Sequence, residues 1–313
     1  MRRLVLRRVL RSIPLLIVVT ATTFILESLV PGNAARTLAG ISATHAQYEA
    51  LRKQLGLNLP LWDQYARYVW NVLHGNLGID PFNGNPTSTI LSQRIWVTIS
   101  LVCLTTIFCA ILGTALGVAS AIREGWSARF VDAASILGLA LPGFLIAIVL
   151  VTLLAVRVRL FPSTGYVDFT SSPLEWLRSL VLPVVALGIG PTAIVAKQAR
   201  DSMKDTLASD YVRTLRAGGL GQSRIIALHA LRNASIPVLT VLGLVFVGAL
   251  GASVFVEQVF VLPGLGSLAV SATAKHNVPV LEGVTLYFTL FVIIVNLILD
   301  ISYALLNPRV RRP

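Results

Sequence analysis

Few groups in this chain could do chemistry: four histidines, two cysteines and 14 acidic residues among 313. Their spacing suits no catalytic or metal site. His45, His74, His229 and His276 stand far apart, without the His-Glu-x-x-His spacing that puts two imidazoles on one helix face for zinc. Cys103 and Cys109 lie six residues apart in one apolar run and fall on different faces of any helix there, so neither a disulfide framework nor a thiolate cluster is expected. The sequence has no Gly-x-x-x-x-Gly-Lys-Ser/Thr run to cradle phosphates with backbone N–H groups and a lysine. It is therefore not expected to hydrolyse ATP itself. Gly221-Gln222-Ser223-Arg224-Ile225 begins like a nucleophile elbow but lacks the second glycine. No catalytic residue, cofactor or metal is predicted.

The elements that hold these residues belong to a membrane. Apolar residues make up 55% of the chain and charged residues 13%, against roughly 25% charged in an average soluble domain, and the mean hydropathy is +0.77. Six apolar runs are long enough to cross about 30 Å of hydrocarbon: 9–30, 97–121, 131–156, 177–197, 235–256 and 283–306. With both termini on the cytoplasmic side, seventeen of the 26 basic residues fall inside and nine outside. That bias sets the orientation N-in and C-in. The first run imitates a secretory signal, but it exceeds a 7 to 15 residue h-region and reads as a retained helix. The expected fold is all-α, with six transmembrane helices. Glu27 and Asp300 lie within spans near their ends, where helix packing or pathway lining suits them better than a proton relay. Gly113 and Gly117, four apart, permit close approach of a neighbouring helix.

Two segments outside the spans carry ordered helix grammar. On the outer side, Thr44 and Gln47 have capping-box spacing, with Tyr48, Leu51 and Leu55 on one face and Gly56 closing the turn. Pro60 then starts a second amphipathic helix with the stripe Leu61, Tyr65, Tyr68 and Val72 and with Gly75 after it. This pair reads as a cap on the bundle, a helix at the interface or a docking surface. On the inner side, the loop 199–234 has seven basic residues counting Lys197 at its border. Ser209 or Asp210 caps a short helix with Tyr211, Val212 and Leu215 on its apolar face, and Gly218-Gly219 ends it. A second helix starts near Gly221 to Ser223 and carries Ile225, Ile226 and Leu231, then His229, Arg232 and Asn233, before Pro237 opens the next span. A solvated loop explains the charges but not the caps. A DNA-reading helix-turn-helix would need a three-helix core that this loop is too short to build. A short helix presented to a groove on a cytosolic partner accounts for the apolar face, the basic rim and the glycine turn together.

From Asp210-Tyr211-Val212-Arg213-Thr214-Leu215-Arg216-Ala217-Gly218-Gly219-Leu220 and His229-Ala230-Leu231-Arg232-Asn233-Ala234-Ser235-Ile236-Pro237, the chain resembles the permease subunits of bacterial ABC importers of the dipeptide/oligopeptide branch. The resemblance extends through Gln54-Leu55-Gly56-Leu57-Asn58-Leu59-Pro60-Leu61, Gly75-Asn76-Leu77-Gly78, Phe255-Val256-Glu257-Gln258-Val259-Phe260, Pro263-Gly264-Leu265-Gly266, Asn296-Leu297-Ile298-Leu299-Asp300 and Asn307-Pro308-Arg309. It departs from the family pattern at Gly218, where that branch commonly has lysine, and at Asn33 and Asn76, where aspartate is usual.

The resemblance implies a type I importer permease, the first of two, in the bacterial inner membrane. Its implied partners are a second permease, cytosolic ATPases that hydrolyse the ATP, and an extracytoplasmic binding protein; no nucleic acid is involved. It implies transport of di- or oligopeptides, with haem, nickel complexes or glycosides as alternative cargoes of the same architecture. A self-contained channel or carrier is the rival class, disfavoured by the scarcity of charges in the spans. The coupling residues would be Asp210, Tyr211, Val212, Arg213, Leu215, Arg216, Gly218, Gly219, His229, Arg232 and Asn233. Glu257, Pro263, Gly264, Leu265 and Gly266 would form an outer gate or binding-protein dock. Residues 1–96 would hold the first span and the outer segment, and 97–313 the five-helix core.

Overall fold

The computed structural model of the chain describes residues 2–30, 32–40, 43–122, 125, 129, 133 and 142–306. The described helices, in order, are α1 (Arg2–Leu29), α2 (Ala34–Ala39), α3 (His45–Gln54), α4 (Leu61–Leu73), α5 (Thr87–Ile122), α6 (Gly143–Arg157), α7 (Pro173–Ala208), α8 (Asp210–Ala217), α9 (Gln222–Val259), α10 (Leu265–Ala274) and α11 (Val278–Leu306). Short π-helical stretches interrupt α5 at Cys109–Gly113, α6 at Val151–Arg157 and α9 at Ile225–Ala230. Five of these helices are long and apolar enough to cross a membrane. The predicted span 131–156 is described only from 142 onward, as α6; its earlier part, residue 133 aside, lies outside the described residues.

The helices overrun the predicted spans. α5, α7 and α9 have 36, 36 and 38 residues, about 54 Å or more at 1.5 Å per residue, against about 30 Å of hydrocarbon. Hydropathy marks where a helix can meet lipid, whereas backbone hydrogen bonding carries it onward into water. One consequence is a correction at the inner loop. The second loop helix has no end at Pro237, because α9 runs on from Gln222 through its π-helical stretch to Val259.

The chain divides into two compact units, 1–98 with 263–294, and 99–262 with 295–313. In the first, Leu91, Leu265, Leu268, Ala272, Val280 and Val284 form a buried cluster. Thr44 caps α3 with the reciprocal Gln47 bond expected of the capping box. Asn33 caps α2 through Oδ1, which accepts from the Arg36 N–H at 2.9 Å, while its amide donates to the Tyr48 hydroxyl at 3.0 Å. Asn76 accepts from the Gly78 N–H at 2.8 Å. Both asparagines thus do the local work an aspartate oxygen would do.

A buried hub in this unit has no sequence forewarning. Asp80 accepts from the Phe82 N–H (2.9 Å) and the Asn277 amide (2.7 Å) on Oδ1, and from the Asn83 amide (2.8 Å) on Oδ2. Asn277 in turn accepts from the Val280 N–H at 3.4 Å at the start of α11. Bonds to an ionised acceptor are worth about 1.5–3 kcal/mol each. Asp80→Ala is therefore expected to cost about 3 kcal/mol and to speed amide exchange at 78–86. Asp80→Asn should recover part of the loss, which thermal unfolding in detergent will measure.

The second unit is built around α7. Its most hydrophobic window is 67% buried, against 39% or less for every other spanning helix. α5 approaches it closely: a Cβ at Gly113 would meet Val195 and the Thr192 carbonyl, and one at Gly117 would meet the Ala196 carbonyl, Ala199 and the Arg200 nitrogen. The two glycines do what their spacing suggested. Cys109, Val195, Ala199, Val238 and Val245 fill the adjoining core, and Ala121, Met203, Ala230 and Ala234 form the cluster nearer the inner loop. Cys103 and Cys109 are free thiols.

Candidate functional site

The inner loop is compact. α7 ends at Ala208, and extended Ser209 turns the chain so that its carbonyl accepts the N–H groups of Val212 and Arg213 at 3.1 and 3.2 Å. Ser209 is the N-cap residue, with no side-chain capping bond. Asp210 in the first turn and Arg216 in the last complement the helix dipole of α8. At the other end the Gly218 N–H donates to Thr214 and the Gly219 N–H to Arg216. Only Gly219 takes the left-handed conformation, at φ +80°; Gly218 is at −76°. Gly221 then caps α9.

Burial of one side chain and two hydrogen bonds fix α8 against its neighbours. Val212 and Ile225 are fully buried, so Val212 grips the chain's own interior and does not reach out as an anchor for a partner. The Asn233 amide donates to the Tyr211 hydroxyl at 2.7 Å, joining α8 to α9 across 22 residues. Arg216 Nε donates to Gln222 at 3.2 Å. Leu215 and His229 are half-buried, while Tyr211, Arg213, Arg216, Gly218, Gly219, Arg232 and Asn233 are exposed. The Arg213–Asp210 pair at 3.3 Å is solvated on both sides and contributes little. The result is a stiff, short helix with a tyrosine and a basic rim on its outside. It has no group placed for bond-making chemistry.

The outer gate candidates divide differently. Glu257 lies fully buried in the last turn of α9, in the second unit. In the first unit, Gly264 caps α10, and Gly264, Leu265 and Gly266 are buried. The Leu265 N–H donates to Thr98 Oγ1 at 2.8 Å. Pro263 alone of that group is exposed.

A further polar group in the first unit was foreshadowed in the sequence only by Glu27. Glu27 is buried, with Oε1 3.3 Å from His276 Nδ1. Glu282 is 1% exposed and neither of its carboxylate oxygens meets a donor. Tyr68 donates to the Glu282 carbonyl at 3.5 Å. Burial, and then the charges of Glu282 and Tyr65, push the Tyr68 phenol above its usual range. The available signal was an acidic residue opening a long apolar run, the fifth residue of α11. Its neighbours lie too far away in sequence to be found by pattern. Among the described residues, no group of three or more His, Cys, Asp or Glu is placed to hold a metal ion.

Residues 113–312 match the family described as binding-protein-dependent transport system inner membrane component, and residues 1–102 match the N-terminal part of such membrane components. The chain belongs to this family. It is a permease subunit of an ABC importer, a multi-pass protein of the inner membrane. The permease is 38% identical over 312 residues to a peptide transport system permease protein of Brucella abortus (strain 2308), covering 99% of each chain. It is 36% identical over 311 residues to a peptide ABC transporter permease of Sinorhizobium fredii, covering 98% of each. With the glutathione transport system permease protein GsiC of Escherichia coli O6:H1 the identity is 34% over 308 residues, again 98% of each. Its fold matches a chain of the inward-facing MetNI methionine ABC transporter with a TM-score of 0.57 at 17% identity, over 70% of this chain and 97% of that one. The type I permease fold expected from the resemblance is thus the observed one.

Proposed function

We propose that this permease forms half of a peptide pathway with a second, different permease, and that α8 seats in a cleft of a cytosolic ATPase. The observation that carries the docking reading is the construction of α8. Val212 and Asn233 hold it to the chain's own helices, while Tyr211, Arg213 and Arg216 stay exposed. A lever needs that division, because a loop free to reorient would absorb the ATPase motion before it reached α7 and α9. Gly219 shapes the turn, and His229 and Arg232 extend the basic rim along α9. Residues 97–313, including the loop 199–234, act as the permease core, with 1–96 as an added first span and outer segment. Peptides are the proposed cargo because relatives matched along nearly their whole length are named for peptide or glutathione transport. A binding protein would deliver them at the loop 257–282, where exposed Pro263 stands over the buried Gly264, Leu265 and Gly266.

The test is isolation of the chain from its native membrane in mild detergent, with mass spectrometry of what accompanies it. A second permease and one or two ATPases in stoichiometric amounts are expected. Recovery of the chain alone, under conditions that keep other membrane complexes intact, would favour the self-contained channel.

A further inference from the structure

Helix α4 presents three faces, not two. Gln64, Tyr65, Tyr68, Val69 and Val72 are half-buried; Asp63, Arg67 and Asn71 are exposed and polar. Between these faces runs a third of Trp62, Ala66, Trp70 and Leu73, in which Trp62 is 73%, Trp70 65% and Leu73 75% exposed. At 100° per residue these four fall within one sector of about 80°. Bare tryptophans and a leucine on one sector are poorly suited to water.

The height of α4 along α1 identifies what meets that sector. The Tyr65 hydroxyl donates to the Ile17 carbonyl at 3.1 Å and lies 2.9 Å from the Thr20 hydroxyl, while its ring meets Phe24 edge-on at 5.8 Å. α1 is a candidate span over Leu10–Leu29, and its charge bias puts Leu29 at the outer end. Phe24 therefore sits about 8 Å, Thr20 about 14 Å and Ile17 about 18 Å below that end at 1.5 Å per residue. Half the hydrocarbon thickness is about 15 Å. The inner face of α4 is thus docked on α1 over the outer leaflet, with the Tyr65 hydroxyl reaching the level of the midplane. Ile17, Val18, Ile25, Leu26 and Leu29 of α1 are themselves exposed, so the helix on which α4 docks carries bare apolar surface over the same height. Its polar edge is turned about 100° from that sector, and Arg67 and Asn71 line an open cavity of about 370 Å³.

We propose that α4 lies in the outer leaflet, with Trp62, Ala66, Trp70 and Leu73 against lipid acyl chains and Asp63, Arg67 and Asn71 toward headgroups and water. The helix is then a lipid-immersed element of the segment before the second span, its two tryptophans setting its depth as amphipathic rings do at an interface. This goes beyond the coupling and cargo readings and rests on neither.

The test uses the full chain in nanodiscs of phosphatidylethanolamine and phosphatidylglycerol whose acyl chains either carry bromine near the headgroup or carry none. Tryptophan emission of the native chain is compared with that of Trp62→Phe/Trp70→Phe, a pair that keeps the face apolar, and with Trp96→Phe as a second variant. Loss of a bromolipid-sensitive share of the emission in the double variant is the expected result, and Trp96→Phe measures separately the share of Trp96, itself 66% exposed near the start of α5. Two results would overturn the proposal. One is emission from these two rings quenched by acrylamide in water and not by bromolipid; the other is emission reached by neither quencher, which would mean that protein covers the face.

Discussion

Uptake by an assembled importer carrying Tyr211→Ala with Gly219→Val is expected to fall at least about tenfold while ATP hydrolysis continues. The alanine removes the hydroxyl that accepts from Asn233 and so unties α8 from α9, a loss of about 1 kcal/mol. The valine acts through the backbone alone. Nothing lies within 4 Å of a Cβ at Gly219, but its φ is +80°, where an L side chain costs about 1–2 kcal/mol. Together they give the helix more than the 1.4 kcal/mol that corresponds to tenfold in an equilibrium, so its docked position is no longer the dominant one. Both residues are exposed, so the chain is expected to remain in the membrane at normal abundance. Peptide uptake and ATP turnover measured on the same vesicles separate the outcomes. Unchanged uptake would sink the assignment of α8 as the coupling element.

Gly117→Val should have the largest effect on stability. Its new Cβ would fall against the Ala196 carbonyl oxygen, the Ala199 Cβ and the Arg200 nitrogen, and two of those three atoms are backbone of α7. A flexible side chain could swing away; a helix backbone moves only as a whole. Overpacking of this kind costs about 3 kcal/mol or more, and α5 is expected to separate from the helix that organises its unit. Gly248→Ala and Gly251→Ala are the matched controls, because a Cβ there meets nothing within 4 Å. Each should be neutral or raise stability by up to about 1 kcal/mol through helix propensity. Thermal unfolding in detergent ranks the three variants, and a Gly117→Val chain as stable as the controls would remove the close-approach argument.

Several local features were legible because their causes lie within a few residues. The Thr44–Gln47 box, the left-handed turn at Gly219 and the Gly113–Gly117 step each depend on a short pattern with one physical solution. The buried side of α8 was not legible. Tyr211, Val212 and Leu215 look alike as an apolar face, and only the packing of α7 and α9 sends Val212 inward and leaves Tyr211 outside. The burial of Leu265 and Gly266 was not legible for a similar reason. Proline and glycines announce a bend, but not whether a cluster of leucines and valines closes over it.

By itself the sequence determined that the chain is a multi-span membrane protein and where the loop 199–234 with its short helix falls. Composition, charge bias and short capping patterns act locally, and they have the same meaning in any fold. Only the tertiary structure decided the pairings of distant groups: Asp80 with Asn277 across 197 residues, Thr98 with Leu265 across 167, and Tyr65 with the middle of α1 across 48. Each polar partner there is one of many along the chain that could satisfy the same donor or acceptor. The choice is made by the packing that brings two segments together and excludes water from between them.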